Sequence, residues 1–134
     1  MEPELRERPG ARLLPPARGL VRFDHVSVSY SGGRPALEDL SFEIRPGQLA
    51  ALVGPNGAGK TTVTYLLARF YDPTAGAVLI DGHDLRDVTL ASLGRQFGIV
   101  PQETFLFHDS IRYNVTYGRQ EATEEEMAAA CRAA

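Results

Sequence analysis

One segment leaves this chain few folds to choose from. Gly54-Pro55-Asn56-Gly57-Ala58-Gly59-Lys60-Thr61 fits the pattern G-x-x-x-x-G-K-[ST]. An apolar run, Leu49-Ala50-Ala51-Leu52-Val53, precedes it, and Val63, Leu66, Leu67 and Phe70 follow at helical spacing. Strand, glycine loop and helix in that order make a phosphate-binding loop. Glycines let successive backbone N–H groups turn inward around an anion, and the helix start adds its unpaired amides and positive dipole end. Lys60 would reach the β- and γ-phosphates, Thr61 would offer a hydroxyl to Mg²⁺, and Thr62 could donate to the phosphates. The simplest alternative is a plain glycine turn between strand and helix.

Composition sharpens that reading. Of 14 basic residues, 13 are arginine, and the lone lysine is Lys60. A net charge of −3 gives no basic field for nucleic acid. The third glycine of a dinucleotide fingerprint is missing after Gly57-Ala58-Gly59, and no Asn-Lys-x-Asp guanine motif occurs. No apolar run approaches the roughly 18 residues of a membrane span, and residues 1–16 lack a signal-peptide layout. The single cysteine, Cys131, rules out an internal disulfide, fits a reducing compartment and reads as a helix-face filler.

Along the chain, residues 1–19 hold four of the nine prolines and read as an extended linker or disordered arm outside the core. Residues 26–30 alternate as a half-buried strand, and 40–44 form a second one. Residues 49–53 and 97–100 read as strands buried on both faces. The helix after the loop is expected over about 59–71, a short strand over 77–80 and a short helix within 87–93. Asp81, at the end of an apolar strand, could mimic a Mg²⁺-holding aspartate, but Gly82 after it suits a turn. Thr123 with Glu126 has capping-box spacing and starts a helix that runs to Ala134 without a stop signal. The chain reads as cut in mid-element.

Taken together, Val26-Ser27-Val28-Ser29-Tyr30, residues 54–62, Phe70-Tyr71-Asp72-Pro73-Thr74-Ala75-Gly76 with Ile80-Asp81-Gly82, and Val100-Pro101-Gln102-Glu103 resemble the ATP-binding domain of ABC transporters of the exporter type. The resemblance covers roughly residues 20–134. It implies an α/β P-loop NTPase fold, here truncated: an antiparallel β-subdomain with part of the parallel-sheet ATP-binding core over 20–101, then the Q-loop and the beginning of the helical subdomain over 102–134. It implies ATP held with Mg²⁺ by Gly54, Pro55, Asn56, Gly57, Ala58, Gly59, Lys60, Thr61 and Thr62. Tyr30 would stack on adenine, a core tyrosine being the alternative. Gln102 would touch Mg²⁺ or the attacking water and sense the membrane domain. Residues 105–117 look like the surface meeting the transporter's coupling helices, although Phe105 and Phe107 could equally be core.

By the same resemblance the activity is hydrolysis of ATP to ADP and phosphate, coupled to export. The partners are a transmembrane domain and a second ATP-binding domain in a head-to-tail dimer, at the cytoplasmic face of the plasma membrane. The Leu-Ser-Gly-Gly-Gln signature, the catalytic glutamate and the switch histidine do not occur here. His25, His83 and His108 read as surface or turn residues. This chain alone is therefore expected to be inactive. A soluble ABC-type ATPase, or an inactive ATP-binding remnant, are the competing readings.

Overall fold

The computed structural model describes residues 5–29 and 35–134. They fall into two compact units, one ending at Phe97 and one spanning Gly98–Ala134.

The first unit is organised by a four-stranded antiparallel sheet of order β2-β1-β3-β4. Strand β1 (Val21–Ser29) lies between β2 (Pro35–Ile44) and β3 (Ala75–Ile80), and β4 (His83–Asp84) pairs with β3. Valine and aromatic side chains favour a pleated, half-buried surface. Phe23 is opposite Phe42 on one side and Val78 on the other, and its ring stacks on Phe42 at 4.6 Å. Simple alternation breaks between Phe23 and Val26, where a bulge puts His25 at φ 50°. The bulge lets Phe23, Val26 and Val28 all point into the core. Gly76 rests against it, because a Cβ there would lie 2.2 Å from the His25 carbonyl oxygen.

Helix α1 (Lys60–Leu67) covers the sheet with Val63 and Leu66. It is shorter than the helix expected to reach residue 71. Arg69 turns left-handed at φ 51°, its N–H bonds the Leu66 carbonyl, and the Phe70 N–H reaches back to Tyr65. That pair of bonds is a Schellman stop, with arginine where glycine is usual. A 3₁₀ turn (Leu85–Asp87), capped by the Asp84 carboxylate, and α2 (Leu90–Gly94), capped by Thr89, replace the single short helix expected over 87–93.

Two expectations are corrected. The apolar runs 49–53 and 97–100 form no strand: Leu49 is 100% exposed and Val100 96%. A strand covered on both faces needs neighbours to pair with, and among the described residues parallel pairing is limited to one bridge, Arg12 to Val88. That bridge involves neither run. Residues 5–19, in turn, do not lie apart from the core. Leu14 is buried in the same cluster as Phe23 and Leu93. The arm's amides find individual partners: Arg12 N–H on the Asp87 carbonyl, Leu14 N–H on Ser92 Oγ and Ala17 N–H on Gln96 Oε1, each at 2.9 Å. Pro9, Pro15 and Pro16 carry no N–H and need no such partner.

The second unit holds α3 (Ile111–Val115) and α4 (Glu124–Ala133). Thr123 and Glu126 close a reciprocal capping box at the start of α4, as their spacing predicts.

Candidate phosphate-binding site

The loop before α1 has the backbone that its glycines allow. Gly57 and Gly59 take φ 83° and 82°, a region that costs an L-residue strain. Gly59 also lacks room for a side chain: a Cβ would approach Leu37 Cδ2 to 2.6 Å and the Ala36 carbonyl oxygen to 2.8 Å. Lys60 curls into the loop, and its ammonium donates to the carbonyl oxygens of Gly54 and Pro55, both at 2.8 Å. The ladder of α1 begins with Val63 N–H bonding Gly59 O, so the amides of Lys60 and Thr61 precede it and point out of the helix start. One turn of this loop therefore gathers an ammonium, helix-start amides and the exposed Thr61; Thr62 is buried.

Pro55, Asn56 and Ala58 line the same loop, where Ala58 N–H bonds the Pro55 carbonyl. Tyr30 lies outside the described residues. Gln102 is exposed in the second unit. In the same unit Phe105, Phe107, Tyr113 and Tyr117 form an aromatic cluster, with Phe107 stacked on Tyr117 at 4.5 Å. Phe105 is 76% exposed, which favours the surface reading over the core one. Asn114 holds the cluster's loop, accepting from Phe107 N–H at 2.7 Å and donating to the Phe107 carbonyl at 3.1 Å.

Asp81 is a turn residue at φ 49°, and its carboxylate is spent on the arm. It accepts from the N–H groups of Arg18 at 2.6 Å and Leu20 at 2.9 Å, with Gly19 more distant. The Leu20 bond first, then those from Arg18 and Gly19, hold its pKa below the usual 3.8. Among the described residues no three His, Cys, Asp or Glu side chains gather to hold a metal. His25 pairs at the surface with Asp39, Nδ1 to Oδ1 2.6 Å, and that bond raises its pKa above 6.5. His83 is exposed on β4 and His108 is exposed in the second unit.

Sequence reasoning missed Arg69. Its guanidinium is buried, pairing through Nε with Asp72 at 2.9 Å and donating to the carbonyls of Val88 at 3.0 Å and Arg6 at 3.3 Å. The spacing of Arg69 and Asp72, three apart, was the available signal.

A glycine loop carrying one lysine at the mouth of a helix, set against an antiparallel sheet, defines a P-loop nucleotide-binding protein. Residues 37–133 match the family model described as "ABC transporter". The chain is 49% identical to human ATP-binding cassette sub-family B member 6 over 99% of its own length and 16% of the relative's. It is 50% identical to the ABC transporter aclQ of Aspergillus oryzae, again over 99% of this chain and 16% of that one. Against the beta-(1-->2)glucan export ATP-binding/permease protein NdvA of Rhodopseudomonas palustris it is 53% identical, over 93% and 21%. A bacterial Atm1-family ABC exporter solved with ATP bound superposes with a TM-score of 0.90 at 46% identity, over 98% of this chain and 23% of that one. The chain belongs to the ABC transporter family, as a nucleotide-binding segment. It spans about a fifth or less of the length of these relatives. No helix among the described residues is long and apolar enough to cross a membrane.

Proposed function

We propose that this segment grips the triphosphate of ATP for a transporter that couples ATP hydrolysis to export across a membrane. The observation that carries the reading is Lys60, drawn inside a loop whose glycines are already in the left-handed conformation. A polyphosphate entering the loop gives the ammonium stronger, anionic acceptors than the two carbonyls it now holds. Helix-start amides supply further donors, and Tyr30 stacks on the adenine.

Mg²⁺ suits the residues present. Thr61 is exposed, and among the described residues no cage of acids surrounds it. A small cation that keeps its waters and leans on substrate phosphates needs no more than that. Bound there, it would neutralise phosphate charge, and Gln102 would be a further candidate to hold the ion or the attacking water. Lys60 holds the β- and γ-oxygens, which fixes the phosphoryl group and disperses its charge.

The partners under this reading are a transmembrane domain, met by the aromatic face around Phe107, and a second ATP-binding domain placed head to tail. The working position is the cytoplasmic face of the membrane. Because the catalytic glutamate that the family resemblance implies does not occur among these residues, this segment is expected to turn over little ATP by itself.

The lone lysine makes a direct test. Amine-directed labelling has one side-chain target besides the N-terminus, and Mg-ATP is expected to protect Lys60 where Mg-AMP does not. Equal labelling with and without millimolar Mg-ATP would sink the reading.

A further inference from the structure

We infer that Arg69 is a positioning residue through which occupancy of the phosphate loop is transmitted to the arm over residues 5–20. The inference rests on the nucleotide reading above and adds a route that leaves the loop from the far end of α1.

Lys60 and Arg69 mark the two ends of that route. They are separated by the single helix α1 and its Schellman stop, about 13 Å of rigid backbone at 1.5 Å per residue. Arg69 cannot drift independently of the helix, because its own N–H is one of the two bonds that close the stop. Its guanidinium leaves the helix end in a fixed fork. One edge is neutralised by Asp72, and the two remaining nitrogens each take a main-chain carbonyl: Val88, on the segment that bridges to the arm, and Arg6, on the arm itself.

The Arg69 side of the contact is buried and charged, so leaving its guanidinium without these acceptors is expensive. Val88 and the arm are tied to each other as well, through Arg12 N–H on Asp87 O and Thr89 N–H on Arg12 O. The arm therefore rides on a small platform that Arg69 pins to the phosphate helix. Displacing Lys60 from the Gly54 and Pro55 carbonyls and drawing the helix start towards an anion moves the other end of the same rod. At its second anchor, Asp81, the arm is held by bonds that do not involve α1. The response should consequently be graded, large near Arg6 to Arg12 and small near Arg18 to Leu20.

Hydrogen exchange of the full chain, with and without Mg-ATP, reads this out. In the unmodified protein Mg-ATP is expected to slow exchange severalfold in peptides from 54–63 and also in those from 5–13, with little change at 18–20. Arg69→Lys keeps a cation beside Asp72 but replaces the fork by one point charge; it is expected to retain protection at 54–63 and lose the response at 5–13. Asp81→Asn is expected to speed exchange at 18–20 and leave the response at 5–13 intact. Protection at 54–63 with an unresponsive arm in the unmodified protein overturns the inference and spares the nucleotide site. Absence of protection at 54–63 overturns both. An arm response that survives Arg69→Lys at full size overturns the role given to Arg69.

Discussion

Gly59 and Leu37 are in such close contact that no side chain fits between them: a β-carbon on Gly59 would come within 2.6 Å of Leu37 Cδ2 and 2.8 Å of the carbonyl oxygen next to it. The phosphate loop is thereby moulded against strand β2, and the antiparallel sheet sets where the loop sits. Gly59→Ala would force a left-handed residue with a clash into that seam, at roughly 1–3 kcal/mol for the backbone alone. Nucleotide affinity is expected to fall at least tenfold, measured by calorimetry, while circular dichroism changes little. Unaltered affinity would show that the loop can shift off β2 without consequence.

Lys60→Ala removes the one ammonium that the loop encloses. Hydrogen bonds to charged groups are worth about 1.5–3 kcal/mol each, so ATP affinity should drop by at least one order of magnitude, with AMP affinity nearly unchanged. A parallel loss for both nucleotides would place Lys60 in folding rather than in phosphate capture.

Leu14 tests whether the arm belongs to the core. It is only 5% exposed, among the side chains of the same cluster as Leu93 and Val88. Leu14→Ala should cost about 2–5 kcal/mol in chemical denaturation, by lost transfer energy and an unfilled cavity. Exposed Leu13, one residue away, is 78% accessible and its alanine variant should differ by less than about 0.5 kcal/mol.

What the sequence showed and what it concealed divide along a physical line. The phosphate loop, the strand around Val26 and Val28 and the capping box at Thr123 are local: period, glycine placement and cap spacing lie within a few residues, so they can be read directly. Strands over 49–53 and 97–100 could not be decided that way. Their apolar runs are plain enough, but a strand is a relation between two segments, and pairing partners for these are not among the described residues. Leu14 was hidden for the opposite reason. A proline-rich, charged stretch reads as solvated, yet a single leucine and a handful of matched amides suffice to seat it. Arg69 escaped because a buried arginine looks in sequence like any surface arginine; the spacing hints at Asp72, but only the fold supplies the carbonyls of Val88 and Arg6.

Asp81 gives the arm a pH dependence whose sign follows from its partners. Main-chain N–H groups from Leu20, Arg18 and Gly19 favour the carboxylate, so its pKa in the folded chain lies below the usual 3.8. A group depressed in this way stabilises the fold fully above its unfolded value and ceases to do so as pH falls through the folded one. The stability gap between the unmodified chain and Asp81→Asn should accordingly stay level from neutral pH down to about 4 and close only below that. Protection of the Leu20 amide, which donates directly to Asp81 Oδ1, taken relative to the unfolded chain at each pH, should fall over the same acid range in the unmodified chain. In Asp81→Asn it should be low throughout. Thermal melts of both chains over pH 3 to 7, with exchange followed at that one amide, check the two halves together. A gap that widened towards acid would mean that the arm is held by something other than this carboxylate.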